Sequence, residues 1–91
     1  MKKTFPLQSP NREDARVRDK IRQEVNRDVR RQRRKPLPEG FGRWEFNCRV
    51  GVSAESAEVR SLKDVGGAID AAAAAGATAV YVEILPVPTL R

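Results

Sequence analysis

The residues best able to do chemistry in this chain are cations. Arg12, Arg16, Lys20, Arg27, Arg30, Arg31 and Arg34 crowd its first part, and the run ends in RRQRRKPLPEG, residues 30–40. Cations at this density grip phosphates or acidic protein surfaces. They do not by themselves relay protons or form covalent intermediates. Groups that do are scarce: Cys48 is the only thiol and there is no histidine. An intrachain disulfide and a Cys/His zinc site are therefore excluded. So are histidine acid/base chemistry and the Ser/His or Cys/His pairing that activates a nucleophile. An enzyme built here must use carboxylates, Lys, Tyr or the lone Cys. Glu45, Tyr81 and Glu83 are the candidates, and no pair sits at a telling spacing. The expectation is a non-enzymatic protein with no catalytic residue, no metal and no cofactor.

The charge is unevenly spread. Residues 1–35 carry 13 Lys/Arg against 5 Asp/Glu, residues 36–91 carry 5 against 7, and so a front of +8 joins a back of −2. That asymmetry points to RNA or DNA as partner, or to an acidic protein surface, and is silent on fold. No membrane segment is expected, because the longest apolar stretch, Ala71 to Val82, is broken by Gly76 and Thr78 and is far short of about 20 residues. The opening MKKTFPLQSP has a charged pair without an apolar run behind it, so a cytoplasmic protein without a secretory signal is expected. With 91 residues, 40% of them apolar, one domain over 1–91 with one modest core is expected.

The cations need a helix to stand on. SPNRED reads as its start: Ser9 or Asn11 caps, Pro10 suits the first turn, and Glu13 and Asp14 meet the positive end of the dipole. Pro36 ends it near Lys35. Val17, Ile21, Val25 and Val29 recur every four positions, a narrow stripe for burial. At about 100° per residue from Val17, the stripe centres near 60° and the seven cations fall roughly between 220° and 320°. Glu13, Asp14, Glu24 and Asp28 fall nearer the stripe, where Asp14 with Arg18 and Glu24 with Arg27 make pairs worth about a few tenths of a kcal/mol. The basic outer face, Arg12 to Arg34, is then about 33 Å long. Two readings compete: the face grips a polyanion, or it only keeps a long exposed helix soluble and answers the dipole.

The remaining elements frame that helix. Residues 2–8 read as a short edge strand carrying Pro6, or as a flexible segment through residue 9. LPEGFG is a turn. WEFNCRVGV is a strand with Trp44, Phe46, Cys48, Val50 and Val52 on an apolar face, which puts both aromatics in the core. Residues 53–56 turn, and AEVRS returns with Ala57 and Val59 inward. Ser61 with Asp64 caps a second helix, Leu62 to about Ala75, presenting Leu62, Val65 and Ile69 and ending at Gly76. Gly66, Gly67 and Ala71 to Ala75 let that helix lie close on the sheet. The last strand, ATAVYVEIL, alternates Val80, Val82 and Ile84 with Ala79, Tyr81 and Glu83, and Pro86 and Pro88 stop it before a tail at 86–91. The expected fold class is α+β: a small two-layer sandwich with two helices on one face of a three- or four-stranded sheet, in the βαββαβ order of a ferredoxin-like fold. Pro6 strains that assignment, since the first strand is central there.

Three motifs are decoys. EGFGRWEF partly matches the aromatic motif of RNA-reading RRM domains through Gly40, Phe41, Gly42 and Phe46. Glu39 and Arg43 break it, and it falls on the wrong strand. DVGGAID has paired glycines but neither Walker nor GxGxxG spacing. Cys48 sits on an apolar strand face, as a buried small hydrophobe does.

RRKPLPEGFGRWEFNC, AIDAAAAAGATAVYVEILP and the opening MKKTF together resemble a small bacterial family of unknown function. The resemblance implies a bacterial, stand-alone, cytoplasmic protein and brings no catalytic residues. The leading expectation is a binding module whose first helix contacts the phosphates of nucleic acid or ribonucleoprotein through Arg12, Arg16, Lys20, Arg27, Arg30 and Arg34. The alternative is a protein-interaction or assembly domain, bound through a sheet edge or the outer sheet face, with the basic helix merely solvated.

Overall fold

The computed structural model describes residues 1–8 and 14–90. In chain order the elements are β1 (Lys2–Pro6), α1 (Asp14–Arg33), β2 (Phe41–Gly51), β3 (Glu58–Arg60), a 3-10 turn (Leu62–Asp64), α2 (Val65–Ala74) and β4 (Ala79–Leu90). This is an α+β fold with two helices and one antiparallel sheet in the order β1-β4-β2-β3. The caps expected at Ser9 or Asn11 and the side chain of Asp14 lie outside what is described.

The core forms where the two helical stripes meet the sheet. Val17, Ile21, Val25 and Val29 of α1 and Val65 and Ile69 of α2 pack with Phe5, Leu7, Cys48, Val50, Val80, Val82 and Ile84. Ile69 and Ile84 are wholly buried, each worth about 1.5–3 kcal/mol in removed apolar surface. Helix α2 closes with Gly76 at φ +85° and the bonds Gly76 N to Ala73 O and Ala77 N to Ala72 O, the double bond pattern that a left-handed residue permits. Ser61 stands before the 3-10 turn, and its hydroxyl donates to the Asp64 carboxylate at 2.7 Å rather than to a backbone group.

Several expectations are corrected. The ferredoxin-like arrangement puts β1 in the centre, whereas here β1 is an edge strand paired only with β4. Pro6 explains its place. Leu7 N–H bonds Thr78 O, and Met1 and Ile84 exchange bonds. Alternate residues face opposite ways, so Pro6 turns its missing N–H to the open side.

Pro86 and Pro88 do not stop β4, and residues 86–90 are strand rather than tail. Ile84 points its N–H toward β1, away from β2. Pro86 and Pro88 share that phase, so no bond to β2 is lost while the strand pairs on to Leu90 opposite Phe41.

Val59 is 77% exposed rather than inward, because its pairing with Arg49 sets it on the sheet face away from the helices. Val52 lies past the end of β2 and is exposed. Phe46 is half-buried against the core, and Trp44 is half-buried outside it. Gly67 faces open space and Gly66 faces Arg22 of α1, so neither glycine brings α2 close to the sheet. Gly51 is the glycine that permits a close approach: a Cβ there would sit 2.6 Å from Cα of Ala57.

Candidate anion-binding surface

The 20 residues of α1 display their cations over about 30 Å, and tertiary contacts sort them. Arg18 and Arg22 turn toward α2. Arg18 Nε lies 3.2 Å from Asp70 Oδ1, Arg22 also pairs with Asp70, and Arg22 reaches Asp19 at 3.3 Å. Arg31 pairs with Asp28, whose carboxylate is 5% exposed and whose other oxygen lies 3.9 Å from the Met1 nitrogen. Arg33 lies over the Phe46 ring, 5.5 Å from its centroid. The expected Glu24–Arg27 pair does not form, because Lys3 of β1 takes Glu24 at 2.6 Å.

What remains is a row. Arg16, Lys20, Arg27, Arg30 and Arg34 are exposed and, among the described residues, make no ion pair. Their numbers, with Gln23 added, step by four and three alternately, the spacing that keeps side chains on one line along a helix. Arg27, Arg30 and Arg34 come together in one open hollow with Gln23 and Arg31. Arg16 and Lys20 continue the line toward the helix start. Arg12 lies outside the described residues. Gln23 was not singled out from the sequence, although its spacing of four to Arg27 and seven to Arg30 marks it.

The groups considered for other chemistry are otherwise engaged. Tyr81 donates to Glu83 Oε1 at 2.8 Å on the outer sheet face, and Arg49 lies 3.8 Å from the same oxygen. The hydrogen bond to Glu83 chiefly, with burial, pushes the Tyr81 phenol above its ordinary pKa. Glu45 is held by Arg43 at 2.9 Å. Cys48 is buried, which raises its thiol pKa. Trp44 and Phe46 lie on the helix side of the sheet, with the Trp44 indole donating to Lys35 O at 3.0 Å. They are not an open stacking platform of the RRM kind. Among the described residues no helix is long and apolar enough to cross a membrane.

Comparison with known families adds the remaining observation. A family of unknown function, DUF6172, matches residues 1–91. The chain belongs to that family. No curated protein and no solved structure matches it. Membership in DUF6172 agrees with the resemblance in one respect, that the family is one of unknown function, and it assigns no residue a role, so the basic row stands on its geometry alone.

Proposed function

We propose that this DUF6172 chain is a non-enzymatic binding module that contacts the phosphates of nucleic acid or ribonucleoprotein through α1. Arg27, Arg30 and Arg34 form the centre of the contact and Arg16 and Lys20 extend it; Arg12, proposed with them, lies outside the described residues. The observation that carries the reading is the sorting of cations: Arg18, Arg22 and Arg31 are spent on Asp70 and Asp28, while the row in the hollow has no carboxylate partner among the described residues. In the bacterial cytoplasm that the resemblance implied, such polyanions are abundant. A row of guanidinium groups holds backbone phosphates without reading bases.

The test is a salt titration of binding to generic RNA and duplex DNA. With four to six phosphates engaged, the log-log slope on duplex DNA is roughly −3.5 to −5.5, at about −0.9 per phosphate. Replacing Arg27, Arg30 and Arg34 together by Gln keeps helix propensity nearly constant. The triple variant should stay folded, bind about tenfold or more weakly at moderate salt and show a shallower slope. Equal affinity in variant and parent, or no binding by the parent in low salt, leaves α1 a solvated face.

A further inference from the structure

The sheet leaves two lengths of strand edge uncovered, and their residues differ in kind. The edge of β4 beyond β1 runs from Leu85 to Leu90, and its outward positions Pro86 and Pro88 have no N–H to offer. The edge of β2 runs from Phe41 to Asn47, because β3 pairs only with Cys48, Arg49 and Val50. In β2 the N–H and C=O groups of Cys48 and Val50 face β3, so Trp44 and Phe46, in the same phase, point theirs outward. No described backbone group bonds to them from that side. One edge is blocked and the other is open, and an open strand edge is a template for another strand.

We propose that the Phe41–Asn47 edge pairs antiparallel with the same edge of a second copy of this chain, about a two-fold axis at Trp44. Three observations choose this occupant and register. The free edge has Trp44 at its middle and its regular part begins at Arg43, past the bulge that shifts β2 against β4 at Gly42, so Arg43, Trp44 and Glu45 pair directly across the axis while Phe41 and Gly42 flank them, and each copy's β3 begins where the other's β2 ends. A two-fold at Glu45 instead sets Gly42 opposite Cys48, where Arg60 of β3 already sits. Trp44 is in the outward phase, as the residue at the centre of a symmetric hydrogen-bonded pair must be. Lastly, the axis at Trp44 sets Arg43 opposite Glu45 on both sides, joining exposed side chains of opposite charge that already pair within each chain. The two half-buried Trp44 rings then lie side by side on the helix face. The pairing makes a continuous eight-stranded sheet from two four-stranded ones, with both copies of α1 on one face. It holds whatever α1 binds.

Sedimentation equilibrium of the full chain from micromolar to millimolar concentration tests the pairing, at moderate ionic strength so that the basic helix ends near the axis are screened. The parent should dimerise reversibly. Arg43→Glu alone sets Glu against Glu45, Glu45→Arg alone sets Arg against Arg43, and each should weaken the dimer about tenfold or more. The double swap Arg43→Glu/Glu45→Arg should restore it, since the opposed charges again differ in sign. Both positions are exposed, and circular dichroism confirms that each variant is folded. A parent that remains monomeric throughout overturns the proposal. So does a dimer that the single changes leave intact, or one that the double swap fails to restore.

Discussion

At the scale of single residues, burial rather than identity decides what the reactive groups do. Cys48 is 1% exposed between strands and helices, and desolvation raises its pKa. Low access and a small thiolate fraction both slow its reaction. A thiol reagent should label native protein far more slowly than denatured protein; equal rates would contradict the burial. Tyr81 is the only tyrosine, so phenolate absorbance reports it alone. Its folded pKa lies above the ordinary tyrosine value, because ionisation would break the bond it donates to Glu83 and set two negative charges together. Above that value the unfolded chain loses the proton first. The stabilising effect is therefore complete below the ordinary pKa and is lost as pH rises toward the folded one. Alkaline titration of the native chain should show a midpoint higher than in denaturant, and Tyr81→Phe should abolish the phenolate signal and this part of the alkaline destabilisation. A native midpoint at the ordinary value would refute the account.

At the scale of elements, phase explains what composition leaves open. Prolines are poor strand residues, yet β4 carries two, Pro86 and Pro88, because both turn toward an edge with no partner strand. Each thereby denies that edge a donor. Replacing both by Val should leave the β2–β4 pairing intact, since no bond in it is made by these residues. It should also add two outward N–H groups and promote association, seen as earlier aggregation in light scattering on concentration. Unchanged solubility would show that the prolines do not guard the edge. In α1 the same logic of facing divides the arginines. The pairs of Asp70 with Arg18 and Arg22 join two helices at partly exposed positions, so they contribute about 0–1 kcal/mol each and act chiefly to orient.

At the scale of the molecule, the shape follows from one long ribbon. Strands β2 and β4 have 11 and 12 residues, and the overall extents are 48 × 24 × 17 Å. One end of the ribbon carries β1, β3 and the packed stripes of both helices. At the other end the loop from α1 meets Trp44, and Arg33 covers Phe46. On the outer surface of α1, Arg16, Lys20, Arg27, Arg30 and Arg34 present positive charge with no ion-pair partner among the described residues. On the proposed reading, that row is what would steer a polyanion to this side at low ionic strength. It is also why the three central arginines, rather than net charge as a whole, are the discriminating substitutions.

Periodicity made much of this protein legible. Spacing by four in Val17, Ile21, Val25 and Val29 dictated the buried face of α1, and alternation in Phe46, Cys48 and Val50 and in Val80, Val82 and Ile84 dictated which sides of β2 and β4 enter the core. These are local properties, set by the geometry of one helix or one strand. The choice of neighbour is not local. The edge position of β1, the outward turn of Pro86 and Pro88 and the exposure of Val59 all depend on which strand lies alongside and in what register. The candidate site divides in the same way. A wheel drawn from the sequence groups the cations on the outer face, since that needs only 100° per residue. That Asp70, far along the chain, takes Arg18 and Arg22 while Lys3 takes Glu24 from Arg27 was settled by tertiary packing, because an ion pair forms with whatever opposite charge the fold brings within reach.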